Sequence, residues 1–180
     1  MKAIPTPLPG VLLLEPRVFR DERGFFLESY HEKDFADLGI RERFVQDNHS
    51  YSKQRVVRGL HYQAAQPQGK LVRAVVGEIF DVAVDMRRSS STFGQWYGEV
   101  LSGENQRMLW IPAGFAHGFS VLSQDAHVLY KATDFYHPES ERTVLWNDSQ
   151  LGIDWRVKGE AIVSAKDRLG VSLRDAETFE

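Results

Sequence analysis

The stretch KLVRAVVGEIFDVAVDM, residues 70–86, predicts two consecutive β-strands that divide at Gly77. Its second part, Phe80–Met86, alternates apolar side chains on one face with Asp81 and Asp85 on the other. A period of two residues is that of a β-strand with two different faces. Most of the remaining chain consists of similar short strands separated by turn signals, with little helix. This pattern predicts an all-β fold, an antiparallel sandwich or barrel.

Two further segments add detail to this prediction. HEKDFADLG, residues 31–39, spaces Phe35 and Leu38 as on one helix face, and Gly39 stands where a helix commonly ends. VLSQDAHVLYKATDFY, residues 121–136, predicts a hairpin that turns at 123–125. Neither a GxGxxG motif nor a P-loop is present, so we expect no nucleotide site of those kinds. No linker or repeat divides the chain, and we expect one domain over residues 1–180.

Composition excludes several classes of function. The chain has 180 residues and a net charge of −3, so we expect no broad basic surface for nucleic acid or acidic membranes. It has no cysteine, which excludes disulfides, thiolate nucleophiles and zinc–thiolate sites. The proline-interrupted start, MKAIPTPLPGVLLLEP, lacks the continuous apolar run of a secretory signal, and no stretch reaches the ~20 apolar residues of a membrane span. A cytoplasmic protein is therefore expected.

Polar residues interrupt the predicted strands in four places: RDERGFFLESY (20–30), FVQDNHS (44–50), VVRGLHYQ (56–63) and WIPAGFAHGF (110–119). Any one of these residues alone is more often structural, as a core aromatic, a solvent-facing amide or a satisfied interior histidine. In VVRGLHYQ, strict alternation places Arg58 and His61 on opposite faces of the strand. A bulge at Gly59 would turn both side chains to the same side.

The metal-binding interpretation of these histidines is weak. PAGFAH matches PxGxxH, the second metal motif of cupin barrels, in which His117 would be a ligand. The first cupin motif requires HxH, but His61 is followed by Tyr62 and Gln63, so the second imidazole is missing. The sequence therefore predicts no metal site.

Eight blocks of the chain together resemble one family closely. From about Glu15 to about Leu169 they occur in family order: DERGFFLESY, FVQDNHS, RGLHYQ, QGKLVRA, GEIFDVAVD, IPAGFAHGF, LYKATDFY and SAKD. They are similar to the dTDP-4-dehydrorhamnose 3,5-epimerases, which are cupin-like and metal-independent. The resemblance implies a jelly-roll barrel of antiparallel strands with a few short helices, no cofactor, and a homodimer with a shared substrate site. It also implies epimerisation at C3 and C5 of dTDP-4-dehydro-6-deoxy-D-glucose to dTDP-4-dehydro-L-rhamnose, within dTDP-L-rhamnose biosynthesis.

The resemblance also assigns roles to individual residues. It implies that His61 is the catalytic base, Asp167 its carboxylate partner, Tyr130 the general acid and Lys70 the cation beside the keto oxygen. Phe26 corresponds to an aromatic that packs against the thymine across a dimer interface. The other implied substrate-binding residues are Arg23, Glu28, Gln46, Asp47, Asn48, Arg58, His117, Glu141 and Lys166.

These residue types suit the implied chemistry. The protons at C3 and C5 are acidic because both carbons lie next to the C4 carbonyl. An imidazole titrates near neutral pH and can remove such a proton, and a tyrosine can return one without carrying charge. A lysine stabilises the enolate oxygen electrostatically.

Three alternatives remain open at this stage. The first is a mono-epimerase that inverts C3 or C5 alone, as in antibiotic-sugar pathways. The second is a metal-dependent cupin using His117, against which the missing HxH argues. The third is a non-catalytic sugar-nucleotide-binding barrel, which would not need His61, Tyr130 and Asp167 together.

Overall fold

The computed structural model describes residues 1–180 as two six-membered β-sheets and a separate hairpin. In spatial order the first sheet contains β1 (Lys2–Pro5), β2 (Leu12–Glu15), β10 (Met108–Ile111), β7 (Lys70–Val76), β12 (Asp125–Ala132) and β5 (Gln46–Lys53). The second contains β13 (Glu141–Thr143), β6 (Val56–Gln63), β11 (Phe115–Val121), β8 (Glu78–Asp85) and β9 (Trp96–Ser102), with β14 (Ile162–Val163) parallel to β6. The hairpin is formed by β3 (Val18–Asp21) and β4 (Gly24–Leu27).

The main core lies between the two sheets. It combines Val72 and Val128 of the first sheet with Ile79 and Phe119 of the second, all of them buried. A second apolar cluster covers the outer face of the second sheet, where the chain after β13 packs on Phe80 and its neighbours. Burying both faces of this sheet removes apolar area from water on each side. The predicted all-β, jelly-roll class is confirmed.

The strand prediction for residues 70–86 is confirmed, since β7 ends at Val76 and β8 begins at Glu78. The two aspartates of β8 share a face, as expected, but that face is the interior between the sheets. Asp85 is buried and accepts hydrogen bonds from Arg87, Ser90 and Thr92. Burial alone would raise the pKa of Asp85, but these hydrogen bonds outweigh it and lower the pKa to about 2.

The predicted hairpin over residues 121–136 is wrong. The two strands and the turn exist, but β11 pairs with β6 and β8, whereas β12 pairs with β5 and β7. The turn therefore carries the chain from one sheet to the other. A local pattern specifies extended segments and turns, but the choice of pairing partner depends on strands that are distant in sequence.

The helix prediction for residues 31–39 is confirmed. Helix α1 (Glu32–Asp37) is capped by His31, buries Phe35, and is followed by Gly39 at a φ of 91°. The other helices are α2 (Ala165–Arg168) and a 3₁₀ turn (Pro138–Ser140). None of the helices combines the length and the apolar character needed to cross a membrane.

A bulge in β6 brings Arg58 and His61 to the same side. His117 of β11 pairs with His61 and Phe119 pairs with Arg58, so two steps along β11 oppose three steps along β6. The extra residue lies at Gly59–Leu60, and Gly59 has a φ of 115°. The conjectured bulge at Gly59 is therefore present. Bulges of this kind redirect side chains, often next to active sites.

We expect Gly59→Ala to destabilise the protein by about 3 kcal/mol or more, because it combines backbone strain with a steric clash. A Cβ there would lie 2.6 Å from the Gly118 Cα and 2.7 Å from the His117 carbonyl oxygen. Urea denaturation measures the change in the free energy of unfolding. Gly24→Ala is the matched control, since its φ is 126° and its Cβ would meet nothing within 4 Å. Equal losses in the two variants would contradict the steric argument.

Candidate active site

A cavity of about 280 Å³ is lined by residues of both sheets. Its lining residues are Gln46, Asn48, His61, Tyr62, Gln63, Gln68, Lys70, Tyr130, Tyr136 and Glu141. Six of these were predicted as site residues from the sequence. Tyr62, Gln63, Gln68 and Tyr136 were not predicted, because nothing in the local pattern distinguishes them from ordinary strand or loop residues.

His61 and Asp167 form a hydrogen-bonded pair at this cavity. The His61 Nε2 lies 2.6 Å from the Asp167 Oδ1, and the other carboxylate oxygen accepts from the Gly59 N–H at 3.3 Å. Asp167 is held in place because its N–H donates to the Ser164 hydroxyl that caps α2. Burial would raise the pKa of Asp167, but the hydrogen bonds and the His61 charge outweigh it and lower that pKa. The carboxylate thus stays ionised and orients the imidazole.

Tyr130 approaches the cavity from β12, in the sheet opposite His61. Burial raises the pKa of the Tyr130 phenol, and the nearby positive charge of Arg58 acts in the opposite direction as a smaller effect. At neutral pH the phenol therefore carries its proton. A neutral, half-buried hydroxyl of this kind is suited to donate a proton.

Lys70 is the cation inside the cavity. Its Nζ donates to the His61 carbonyl oxygen at 3.4 Å. Burial lowers the pKa of Lys70 to about 8, while the carboxylates of Asp81 and Glu141 act to raise it. The ammonium group therefore remains mostly protonated at pH 7 and loses its charge as the pH rises past about 8.

His117 forms a second, deeper pair with a carboxylate. Its Nε2 lies 2.7 Å from the Asp81 Oδ1, and both residues are buried. The His117 ring lies 6.5 Å from the Tyr130 ring, centroid to centroid. Asp81 was not among the predicted site residues. The signal that could have identified it is an acidic residue on the core-facing side of an apolar strand, where an unpaired charge is strongly disfavoured.

The mouth of the cavity contains a charged group centred on Glu141. Its carboxylate accepts from the Tyr136 hydroxyl at 2.6 Å and forms an ion pair with Lys166. Burial would raise the pKa of Glu141, but these contacts outweigh it and lower the pKa. Nearby, the Gln46 Nε2 donates to the Asn48 Oδ1 at 2.9 Å.

Arg58 lies close to the cavity without lining it. Its Nε donates to the Ser52 hydroxyl at 2.9 Å, and a second guanidinium nitrogen donates to the Tyr51 carbonyl oxygen at 3.2 Å. These contacts direct the guanidinium towards β5, from which its charge acts on Tyr130.

Seven predicted substrate-binding residues do not line this cavity: Arg58, His117 and Lys166, whose contacts are described above, and Arg23, Phe26, Glu28 and Asp47. Arg23 and Phe26 belong to the β3–β4 hairpin, and Glu28 follows it. Arg23 forms an ion pair with Asp21 of the same hairpin at 2.5 Å. Asp47 lines a different depression of about 240 Å³ and pairs with Lys131. The substrate-binding roles of these residues, like those of the residues that line the cavity, stay predictions.

Phe25 and Phe26 are adjacent residues of β4, and neither ring enters the core of the chain. The side chain of Phe25 is 53% exposed, and that of Phe26 is 69% exposed. Alternation places the two rings on opposite faces of the hairpin, and both rings stay exposed because no other part of the chain packs over them.

The family model described as dTDP-4-dehydrorhamnose 3,5-epimerase matches residues 5–175. The chain is 59% identical over 180 residues to the dTDP-4-dehydrorhamnose 3,5-epimerase of Pseudomonas aeruginosa, covering 99% of each.

The chain is similar in structure, with a TM-score of 0.95, to the dTDP-6-deoxy-D-glucose-3,5-epimerase of Legionella pneumophila, which was solved in complex with dTDP-4-keto-L-rhamnose. The two chains are 52% identical, and the match covers 97% of this chain and 93% of that chain. A 3′-monoepimerase of Streptomyces bikiniensis, in complex with dTDP-quinovose, has a TM-score of 0.90 at 31% identity, covering 96% and 88% of the two chains.

Proposed function

The chain belongs to the dTDP-4-dehydrorhamnose 3,5-epimerase family, and we propose that its reaction is carried by His61 and Tyr130 acting from opposite sheets. The enzyme epimerises C3 and C5 of dTDP-4-dehydro-6-deoxy-D-glucose to give dTDP-4-dehydro-L-rhamnose. The observation that supports the residue roles is the placement of the His61–Asp167 pair and the Tyr130 phenol on two sides of one cavity.

The base acts first in the proposed mechanism. Asp167 holds the His61 imidazole so that one ring nitrogen takes the proton from the carbon next to the ketone. The electron pair of the broken C–H bond forms the C=C bond of an enolate, and the carbonyl electrons move to O4. Lys70 stabilises the negative oxygen, because a preformed cation in a partly desolvated cavity interacts strongly with developing charge.

Reprotonation from the other side completes the inversion. The enolate carbon is planar, so the Tyr130 hydroxyl can deliver its proton to the face opposite His61. This step leaves a proton on His61 and a phenolate at Tyr130, and exchange with water restores both groups. Each inverted carbon therefore carries a hydrogen that came from solvent.

NMR of the product formed in deuterated water tests the function. We expect wild-type enzyme and dTDP-4-keto-6-deoxyglucose to give a product that is inverted at C3 and C5 and carries deuterium at both. The 31% identical 3′-monoepimerase makes inversion of one centre the second candidate. Inversion and label at a single carbon would establish that candidate, and no turnover would contradict both.

We further propose one catalytic domain over residues 1–180, working in the cytoplasm without a metal or nucleic-acid partner. A substrate site completed by a second copy of the chain is also proposed. The β3–β4 hairpin pairs with no other strand and exposes Phe19, Phe25 and Phe26, an unusual concentration of aromatic surface. Covering these rings with a partner would bring Phe26 and Arg23 to the partner's site.

We expect a dimeric mass by light scattering at assay concentration. We also expect Phe26→Ala to raise the KM for the sugar nucleotide by about tenfold through loss of an aromatic contact. A monomeric mass with full activity would exclude the shared site.

A further inference from the structure

The loop that follows β12 has an unusual means of support. From Asp134 to His137 the chain belongs to no strand, yet it forms part of the cavity wall through Tyr136. A loop without strand pairing needs other partners for its backbone groups. These partners are side-chain amides that come from other parts of the chain.

Three glutamines bond to four successive residues of this loop. The Gln68 Nε2 donates to the Asp134 carbonyl at 2.8 Å, and the Tyr136 N–H donates to the Gln46 Oε1 at 3.0 Å. Gln63 supplies the other two contacts: its Nε2 donates to the Phe135 carbonyl at 3.2 Å, and its Oε1 accepts from the His137 N–H at 2.8 Å.

Gln63 is the central member of this set. It is only 3% exposed and stands on β6 two residues after His61. Its Nε2 also donates to the Gln66 carbonyl at 2.7 Å. Both polar atoms of the amide are therefore committed to the protein backbone. Gln63 occupies the position of the second histidine in an HxH motif, and its carboxamide pairs with peptide groups as another peptide would.

The supported loop determines the position of Tyr136. Its side chain lines the cavity, and its hydroxyl donates to Glu141, which also pairs with Lys166. A shift of the loop backbone would move the ring and break this contact. The geometry points to Gln63 as a positioning residue that, with Gln46 and Gln68, fixes residues 134–137 so that Tyr136 forms one wall of the substrate site. The identity of the substrate in this inference rests on the proposed function.

Gln63→Met tests the inference, because methionine has a similar length and forms none of these hydrogen bonds. We expect KM for the 4-keto sugar nucleotide to rise by about tenfold, because the ground state and the transition state lose the same contact with the cavity wall. We expect kcat to fall by less than about threefold, because the His61–Asp167 pair is untouched. We also expect faster hydrogen exchange of the Tyr136 and His137 amides. Gln124→Met, on the exposed turn before β12, is the matched control and should leave both readouts unchanged.

Wild-type KM together with wild-type amide exchange in Gln63→Met would overturn the inference. If Gln63→Met fails to fold, Gln68→Met is the second variant, because it removes only one of the hydrogen bonds to the loop. We expect the backbone amides of the Asp134–Phe135 segment in Gln68→Met to exchange hydrogen faster than in wild type. Unchanged exchange in Gln68→Met would likewise count against the inference. If wild-type enzyme does not convert the 4-keto sugar, the proposed function fails, whereas the exchange comparison still decides whether glutamines hold the loop.

Discussion

His61→Asn is expected to stop both proton exchange and product formation. Asparagine is close in shape to the imidazole and can still donate to Asp167, but it cannot take a proton from carbon. The enolate then never forms, so solvent deuterium should not enter C3 or C5 and inverted product should not accumulate. Removal of a positioned base typically lowers a rate by ~10²–10⁴-fold, and we expect the upper end because His61 initiates every turnover.

NMR of substrate and product in deuterated water measures both effects in one experiment. His127→Asn is the matched control, since His127 pairs with His49 on the opposite, outer side of the first sheet and lines no part of the cavity. That variant should exchange and invert at the wild-type rate. Normal deuterium exchange in His61→Asn would show that another residue is the base.

Tyr130→Phe is expected to separate exchange from inversion. Phenylalanine keeps the ring and its packing beside His117 but removes the proton donor. His61 can still form the enolate and return a solvent-derived proton to the original face. Inversion should therefore fall by ~10²–10⁴-fold, while exchange falls less.

The deciding measurement is a ratio of two amounts: the deuterium incorporated into unconverted substrate, divided by the inverted product formed in the same time. This ratio should rise well above the wild-type ratio. Tyr97→Phe is a suitable control, because Tyr97 is also a half-buried tyrosine of a strand, but its hydroxyl donates to Glu99, away from the cavity. Inversion at near wild-type rate in Tyr130→Phe would make Tyr130 structural.

The site was predictable only in part from the residues alone. His61 and Asp167 are separated by 106 positions, and nothing in the local pattern of SAKD distinguishes its aspartate from an ordinary surface charge. The resemblance to a family supplied that pairing as an expectation, and the structure places the two side chains in contact. The roles of Gln63 and Asp81 were missed, because each depends on which backbone or side-chain groups of other elements lie opposite.

The sequence by itself determined the elements: the apolar run broken at Gly77 indicated β7 and β8, alternation of apolar side chains specified β8, and the spacing of Phe35, Leu38 and Gly39 specified α1. These signals are local, since they arise from side-chain direction along a few residues. Only the tertiary structure decided that β11 and β12 enter different sheets, that Asp81 faces the interior, and that a bulge at Gly59 turns Arg58 and His61 together. The physical reason is that strand pairing, burial and register depend on contacts between segments far apart in the chain.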